Sequence, residues 1–218
     1  MAESQYARPR LIADIGGSYA RFALEVAPGV FEQKVSMRCA DHADFHAAVT
    51  AYIAHLPKRR IHDCAVAIAN PVSGDHVRMT NYHWQFSIEE MRQRLHFDNL
   101  VVVNDFTALA MALPKLLPHQ RRQVGGGAPA ERSVLGLIGA GTGLGVSGLI
   151  PSEDGWIALG AEGGHASFAP SNKREVAILE YAWKTLPHVS FERLLSGPGL
   201  ELIHRALAES SKSPDPGL

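Results

Sequence analysis

Apolar and polar positions along this chain recur with spacings that predict a series of short strands interrupted by a few helices. Apolar-rich runs at 11–15, 20–26, 34–38, 64–69 and 100–103 read as strands. Leu100-Val-Val-Val103 is uniformly apolar and rich in β-branched residues, so it is expected to be a central strand covered on both faces. Between 44 and 56, Phe45, Val49, Tyr52 and Ile53 share one helical face, the spacing of a buried stripe. Ser87-Ile-Glu-Glu90 reads as a capping box that opens a second helix, with Ile88, Met91 and Leu95 on one side. Further on, Ser133–Ile138 reads as a buried strand and Val146–Ile150 as its returning partner.

Two of these strand pairs turn through glycine. Leu11-Ile-Ala-Asp-Ile-Gly-Gly-Ser18 carries one carboxylate, Asp14, straight into a glycine pair and a hydroxyl. Successive backbone N–H groups in such a turn form a concave site for phosphate oxygens, and the missing Cβ atoms let an anion approach. An ordinary hairpin turn is the alternative. A Gly-x-x-x-x-Gly-Lys-Ser/Thr loop is absent, and the turn leads into a strand where a dinucleotide fold needs a helix. The same unit recurs at Gly139-Ala-Gly-Thr-Gly-Leu-Gly145, and two such loops suggest two related lobes with a nucleotide between them. Gly143-Leu-Gly-Val-Ser-Gly148 matches Gly-x-Gly-x-x-Gly, but apolar residues follow it to Pro151, so the match is read as a decoy.

Polar residues cluster beside these loops. Asn104-Asp105 ends an apolar run, where a carboxylate of an open α/β sheet faces the ligand crevice; either residue could instead cap a helix over Thr107–Ala112. Glu162 and His165 sit three apart around two glycines, a weak metal pattern that equally suits a polyhydroxylated ligand. Glu192 could join them or could be a solvated helix-face residue. His42 and His46, with no third ligand motif, read as a solvated helix start, and Trp84 in Thr80-Asn81-Tyr-His-Trp84 as a packing residue.

Composition narrows the class. The chain has 218 residues, 46% of them hydrophobic, and a formal charge of −1, which gives no field for nucleic acid. Lys58-Arg-Arg60 is its longest basic run and reads as a solvated turn. Cys39 and Cys64 make no disulfide framework, so a reducing, cytoplasmic compartment is expected. No apolar run approaches the ~20 residues of a membrane helix, and the N-terminus lacks a signal-peptide core.

Taken in order, these motifs resemble the bacterial glucokinases of the proteobacterial type, within the superfamily of hexokinases, actin and heat-shock ATPases. The resemblance runs from about Leu11 to Leu207. It implies an α/β, two-lobed ribonuclease H-like fold of the actin and hexokinase type, with the second lobe incomplete. It also implies ATP-dependent, Mg²⁺-dependent phosphorylation of glucose at its 6-hydroxyl. Asp105 would be the general base. Asn104, Asp105, Glu162, His165, Glu192 and Asn81 would bind sugar, and Asp14, Gly16, Gly17, Ser18, Gly139, Gly141, Thr142 and Gly143 would bind nucleotide. Asp14 would face the metal through water. The zinc-motif subtype of the superfamily is not expected, because both cysteines are remote in sequence from His165. Dimerisation is implied by the resemblance alone.

Ser18-Tyr19-Ala20-Arg21 departs from the family's Thr-Asn-Ala-Arg, placing a large ring beside the first loop. About a third of a family-length chain is expected to be absent, including the adenosine-binding glycine motif and a final helix that returns to the first lobe. The expected organisation is a flexible lead (1–10), a small lobe with the first loop and Asp105 (11–113), an inter-lobe loop (114–132), a partial large lobe (133–209) and a tail (210–218). A catalytically silent sugar-binding module and a kinase for another hexose are the alternative functions.

Overall fold

A computed structural model describes residues 8–57, 60–80, 82–128 and 130–210. Most of the expected lead and tail, two residues of the basic run (Lys58 and Arg59), and Asn81 lie outside these residues. The chain divides into two compact units, Met1–Ala108 and Leu109–Leu218.

The first unit contains β1 (Arg10–Ile15), β2 (Tyr19–Ala27), β3 (Val30–Arg38), α1 (Phe45–Ala54), β4 (Asp63–Ile68), β5 (His76–Arg78), β6 (Gln85–Ser87), α2 (Ile88–Arg94), β7 (Asn99–Asn104) and the start of α3 (Asp105–Ala112). Its main sheet has the order β3-β2-β1-β4-β7. β1, β2 and β3 form an antiparallel meander, while β1, β4 and β7 run parallel. Parallel neighbours need crossovers, which the segments carrying α1 and α2 supply. Alternate residues of β1, Leu11, Ala13 and Ile15, turn to one face with Phe22, Val66 and Ile68, and join Phe45, Val49 and Tyr52 of α1 in one core. Stacked rings stiffen it: Phe22 on Tyr52 with centroids 5.0 Å apart, and Phe45 on Phe86 at 4.7 Å. Trp84 is also buried there.

Asp44 starts α1, its Oδ1 accepting the Ala47 N–H at 2.7 Å. Asp44→Ala should lower stability by about 1 kcal/mol, read as an earlier urea midpoint at unchanged slope.

Three readings of the pattern need correction. β7 ends the sheet among the described residues, and Val101 is 55% exposed while Leu100 and Val102 are buried. An all-valine run hides an alternation that burial reveals. Only half of the capping box forms: Ser87 Oγ accepts from Glu90 N, while the Glu90 carboxylate pairs with Arg94. Asp75 reaches the same helix start instead, its backbone O accepting from Ile88 N and its Oδ1 from Glu89 N. The third correction falls in the second unit, where the expected buried strand at 133–138 is β8 (Leu135–Ala140) with Ile138 72% exposed.

β8 pairs with β9 (Leu144–Ser152), which pairs with β10 (Gly155–Ala161), a strand the pattern did not predict. Helices α4 (Lys173–Trp183), α5 (Phe191–Leu194) and α6 (Gly197–Ser210) build a separate core around Ile178, Leu179, Ala182, Leu194 and Ala206. No helix among the described residues is long and apolar enough to cross a membrane.

Candidate active site

Parallel register brings three strand ends of the first unit into line, with Ile15 beside Ile68 and Ile68 beside Asn104. Immediately beyond lie the Gly16-Gly17-Ser18 turn, Asn70, and Asp105. This carboxyl-terminal edge is where open α/β sheets present ligand-binding groups.

The turn is held from within. Gly16 N donates to Tyr19 O at 2.9 Å, Ser18 O accepts from Cys39 N at 2.9 Å, and Gly16 O accepts from Cys39 Sγ at 3.4 Å. Tyr19 opens β2 and is 46% exposed, so the bulky residue beside the loop lies at the surface rather than in the core. Asp14 is exposed on β1 and pairs with Arg21, its cross-strand partner, at 2.8 Å. Arg21 therefore belongs to the site, although the pattern did not single it out. The antiparallel register of a hairpin with a three-residue turn was the available signal.

Asn104 is the N-cap of α3. Its Oδ1 accepts from Phe106 N at 2.9 Å and Thr107 N at 3.1 Å, while Nδ2 donates to Asn70 O at 3.3 Å. Both ends of the carboxamide are thus engaged within the protein. Asn70, itself buried, accepts from Thr80 N and donates to Pro71 O, a polar anchor the pattern also missed. A polar residue ending an apolar strand just before proline was its signal. Asp105 is half-buried, and Phe106 N donates to its Oδ1 at 2.8 Å, fixing the carboxylate's orientation. Burial raises its pKa above the ordinary range, and the negative charge of Asp14 raises it further.

That coupling is testable. In Asp14→Asn the neighbouring charge is removed, so the Asp105 carboxyl should titrate at lower pH than in the parent chain. Carbon-13 NMR of the labelled carboxyl reads this directly, and an unmoved titration would contradict it.

In the second unit the glycine turn is confined to Gly141-Thr142-Gly143, because Gly139 sits in the β8 ladder opposite Gly145. Gly139 is thereby corrected from a turn residue to a strand residue. Gly141 N donates to Gly143 O at 2.8 Å, closing the turn. A Cβ on Gly141 would meet nothing within 4 Å, so internal packing does not demand glycine there. Glu162 precedes and His165 ends a single 3-10 turn, Gly163–His165, with exposed side chains and an Oε2 to Nε2 distance of 3.7 Å. Glu192, in the first turn of α5, accepts from Leu144 N at 3.0 Å through Oε2. The structure therefore places Glu192 against the end of the glycine turn. Among the described residues no group of three or more metal-ligating side chains is gathered. Cys39 and Cys64 are free and buried, and burial pushes the Cys64 thiol up to about 12.

The glucokinase family model matches residues 11–216. This chain belongs to the glucokinase family. A "Bifunctional protein glk" of Burkholderia orbicola is 59% identical over 204 residues, covering 94% of this chain and 32% of that protein. The glucokinase of Chromobacterium violaceum is 53% identical over 210 residues, 96% of this chain and 60% of that one. Among solved structures, a glucokinase from an Antarctic psychrotroph superposes with a TM-score of 0.84 at 34% identity, covering 96% of this chain and 67% of that one. The chain thus spans about a third of the length of the Burkholderia relative and three fifths of the Chromobacterium glucokinase. The mixed five-stranded sheet is that of a glucokinase-family fold.

Proposed function

We propose that this chain serves the ATP-dependent transfer of a phosphoryl group to the 6-hydroxyl of glucose in the cytoplasm, with Asp105 as general base. The observation that carries this reading is a half-buried carboxylate, raised in pKa, oriented at the carboxyl-terminal edge of three parallel strands beside a glycine turn. A raised pKa makes Asp105 a stronger base than an exposed aspartate once it is ionised. It would take the hydroxyl proton as the sugar oxygen attacks the γ-phosphorus in line.

Glu162, His165 and Glu192 would hold sugar hydroxyls. Asn104 would do so only through capacity left over from capping α3. Asn81, assigned to the sugar by resemblance, lies outside the described residues. Gly17, Ser18, Thr142 and Gly143 would meet the phosphates through backbone amides and two hydroxyls, while Gly16 and Gly141, whose N–H groups close their own turns, would leave room for the close approach.

The donor set fits magnesium carried in with the nucleotide: Mg²⁺ keeps several waters and takes one or two carboxylates, and Asp14 offers one, its Oδ2 already paired with Arg21. When bound there, the ion would neutralise phosphate charge. Discrimination against mannose or glucosamine would rest on the hydrogen-bond geometry of Glu162, His165 and Glu192. A homodimer is proposed on family grounds.

A second reading is a sugar-binding module without turnover, in which Glu162, His165 and Glu192 would hold the sugar and Asp105 would take no proton. Measuring ADP release by the 218-residue chain with Mg·ATP, with and without glucose, separates the two. Glucose-dependent release supports the kinase. Glucose binding by calorimetry with no release supports the silent module.

A further inference from the structure

Glu192 stands where two functional loops of the second unit are fastened to α5 and α6. On one side is the glycine turn. Leu144 N donates to Glu192 Oε2 at 3.0 Å, and Gly197 N donates to Gly141 O at 2.8 Å. The carboxylate lies so close over Gly143 that a Cβ there would come within 2.3 Å of Oε2. On the other side is the turn carrying Glu162 and His165. Phe191 N donates to Ala166 O at 3.0 Å, and Phe168 N donates to Val189 O at 2.9 Å.

The glycine turn has few contacts of its own. Gly141 and Gly143 have no side chains, and the Gly141 Cβ position is open. Its shape is therefore set by its own closing bond and by the two bonds that arrive from outside. The bond from Leu144 to a carboxylate is charge-assisted, hence the stronger kind. A carboxylate can accept about four hydrogen bonds, and Glu192 Oε1 has no partner among the described residues.

We propose that Glu192 is a positioning residue for the glycine turn as well as a sugar ligand. Oε2 holds Gly141–Leu144 in one conformation and Oε1 takes a sugar hydroxyl, so sugar occupancy and the shape of the phosphate-binding turn are coupled through one side chain. The sugar half rests on the function proposed above; the clamp on Leu144 does not.

Amide hydrogen exchange on the 218-residue chain tests both halves. Glu192→Ala should speed exchange at Leu144 by about tenfold, the loss of one charge-assisted bond, and Glu192→Gln should largely restore protection because its carbonyl still accepts. Gly143→Ala, which displaces the carboxylate sterically, should speed exchange likewise and serves if Glu192→Ala fails to fold. Adding glucose should alter Leu144 exchange in the parent chain and leave it unaltered in Glu192→Ala. Unchanged exchange in the folded Ala variant, or equal acceleration in the Ala and Gln variants, overturns the clamp. An intact clamp in a chain that calorimetry shows not to bind glucose overturns the coupling and the sugar reading together.

Discussion

Asp105→Asn should lower glucose-dependent ADP release by about 10²- to 10⁴-fold while leaving glucose binding largely in place, since it removes a proton acceptor and little shape. The amide keeps an oxygen for the Phe106 N–H that now reaches Asp105 Oδ1 at 2.8 Å. Because the carboxylate form is disfavoured by burial and by Asp14, the same substitution should stabilise the fold at neutral pH. The sign follows from proton binding. With its folded pKa above the unfolded value, Asp105 contributes stability that is complete below the unfolded pKa and lost as pH rises through the folded one. Thermal melts of the Asn variant and the parent should therefore diverge at pH 7 and converge towards pH 3 to 4, near the ordinary aspartate pKa of about 3.9. A variant with undiminished turnover removes Asp105 from the mechanism. One with a pH-independent difference in Tm removes the raised pKa.

Gly164→Ala is the second large effect expected. A Cβ at Gly164 would lie 2.1 Å from Leu144 O and 3.1 Å from the Leu144 carbonyl carbon, backbone atoms of β9 that cannot swing aside. Overpacking of this kind costs about 1 to 3 kcal/mol. The strain falls where the Glu162–His165 turn sits on the end of the glycine turn, so sugar affinity should drop along with the urea midpoint. By contrast, Gly141→Ala meets nothing within 4 Å and should leave the midpoint near that of the parent. If Gly141→Ala nevertheless weakens nucleotide binding, the open Cβ position is space for ligand. Equal midpoints for Gly164→Ala and the parent would mean that β9 yields more easily than its pairing on both sides suggests.

Much of the architecture was already legible in local pattern. The stripe of Phe45, Val49 and Tyr52 predicts α1 because only one helical face can be apolar when the other meets water, and these residues are buried. The strands at 11–15, 20–26 and 64–69 are the first, second and fourth strands of the structure within one or two residues at each end. The decoy glycine match at 143–148 runs from the last residue of the glycine turn into β9 and not into a helix, as its apolar continuation predicts. Asn104 caps α3, one of the two roles its position allowed.

What the sequence determined by itself was the order of strands, glycine turns and polar residues, together with the family they spell, because each depends on short-range spacing. Tertiary structure alone decided which faces are covered and which side chains meet. Val101 and Ile138 lie in apolar runs that look buried, yet both are exposed, since a run of like residues carries no record of what packs against it. The pairing of Asp14 with Arg21 comes from hairpin register, and that of Glu192 with Leu144 spans 48 positions. The elevated pKa of Asp105, at the start of α3, likewise arises from burial and from Asp14 on β1. Such long-range juxtapositions are set by the closure of a sheet and the packing of helices, which no local window of residues contains.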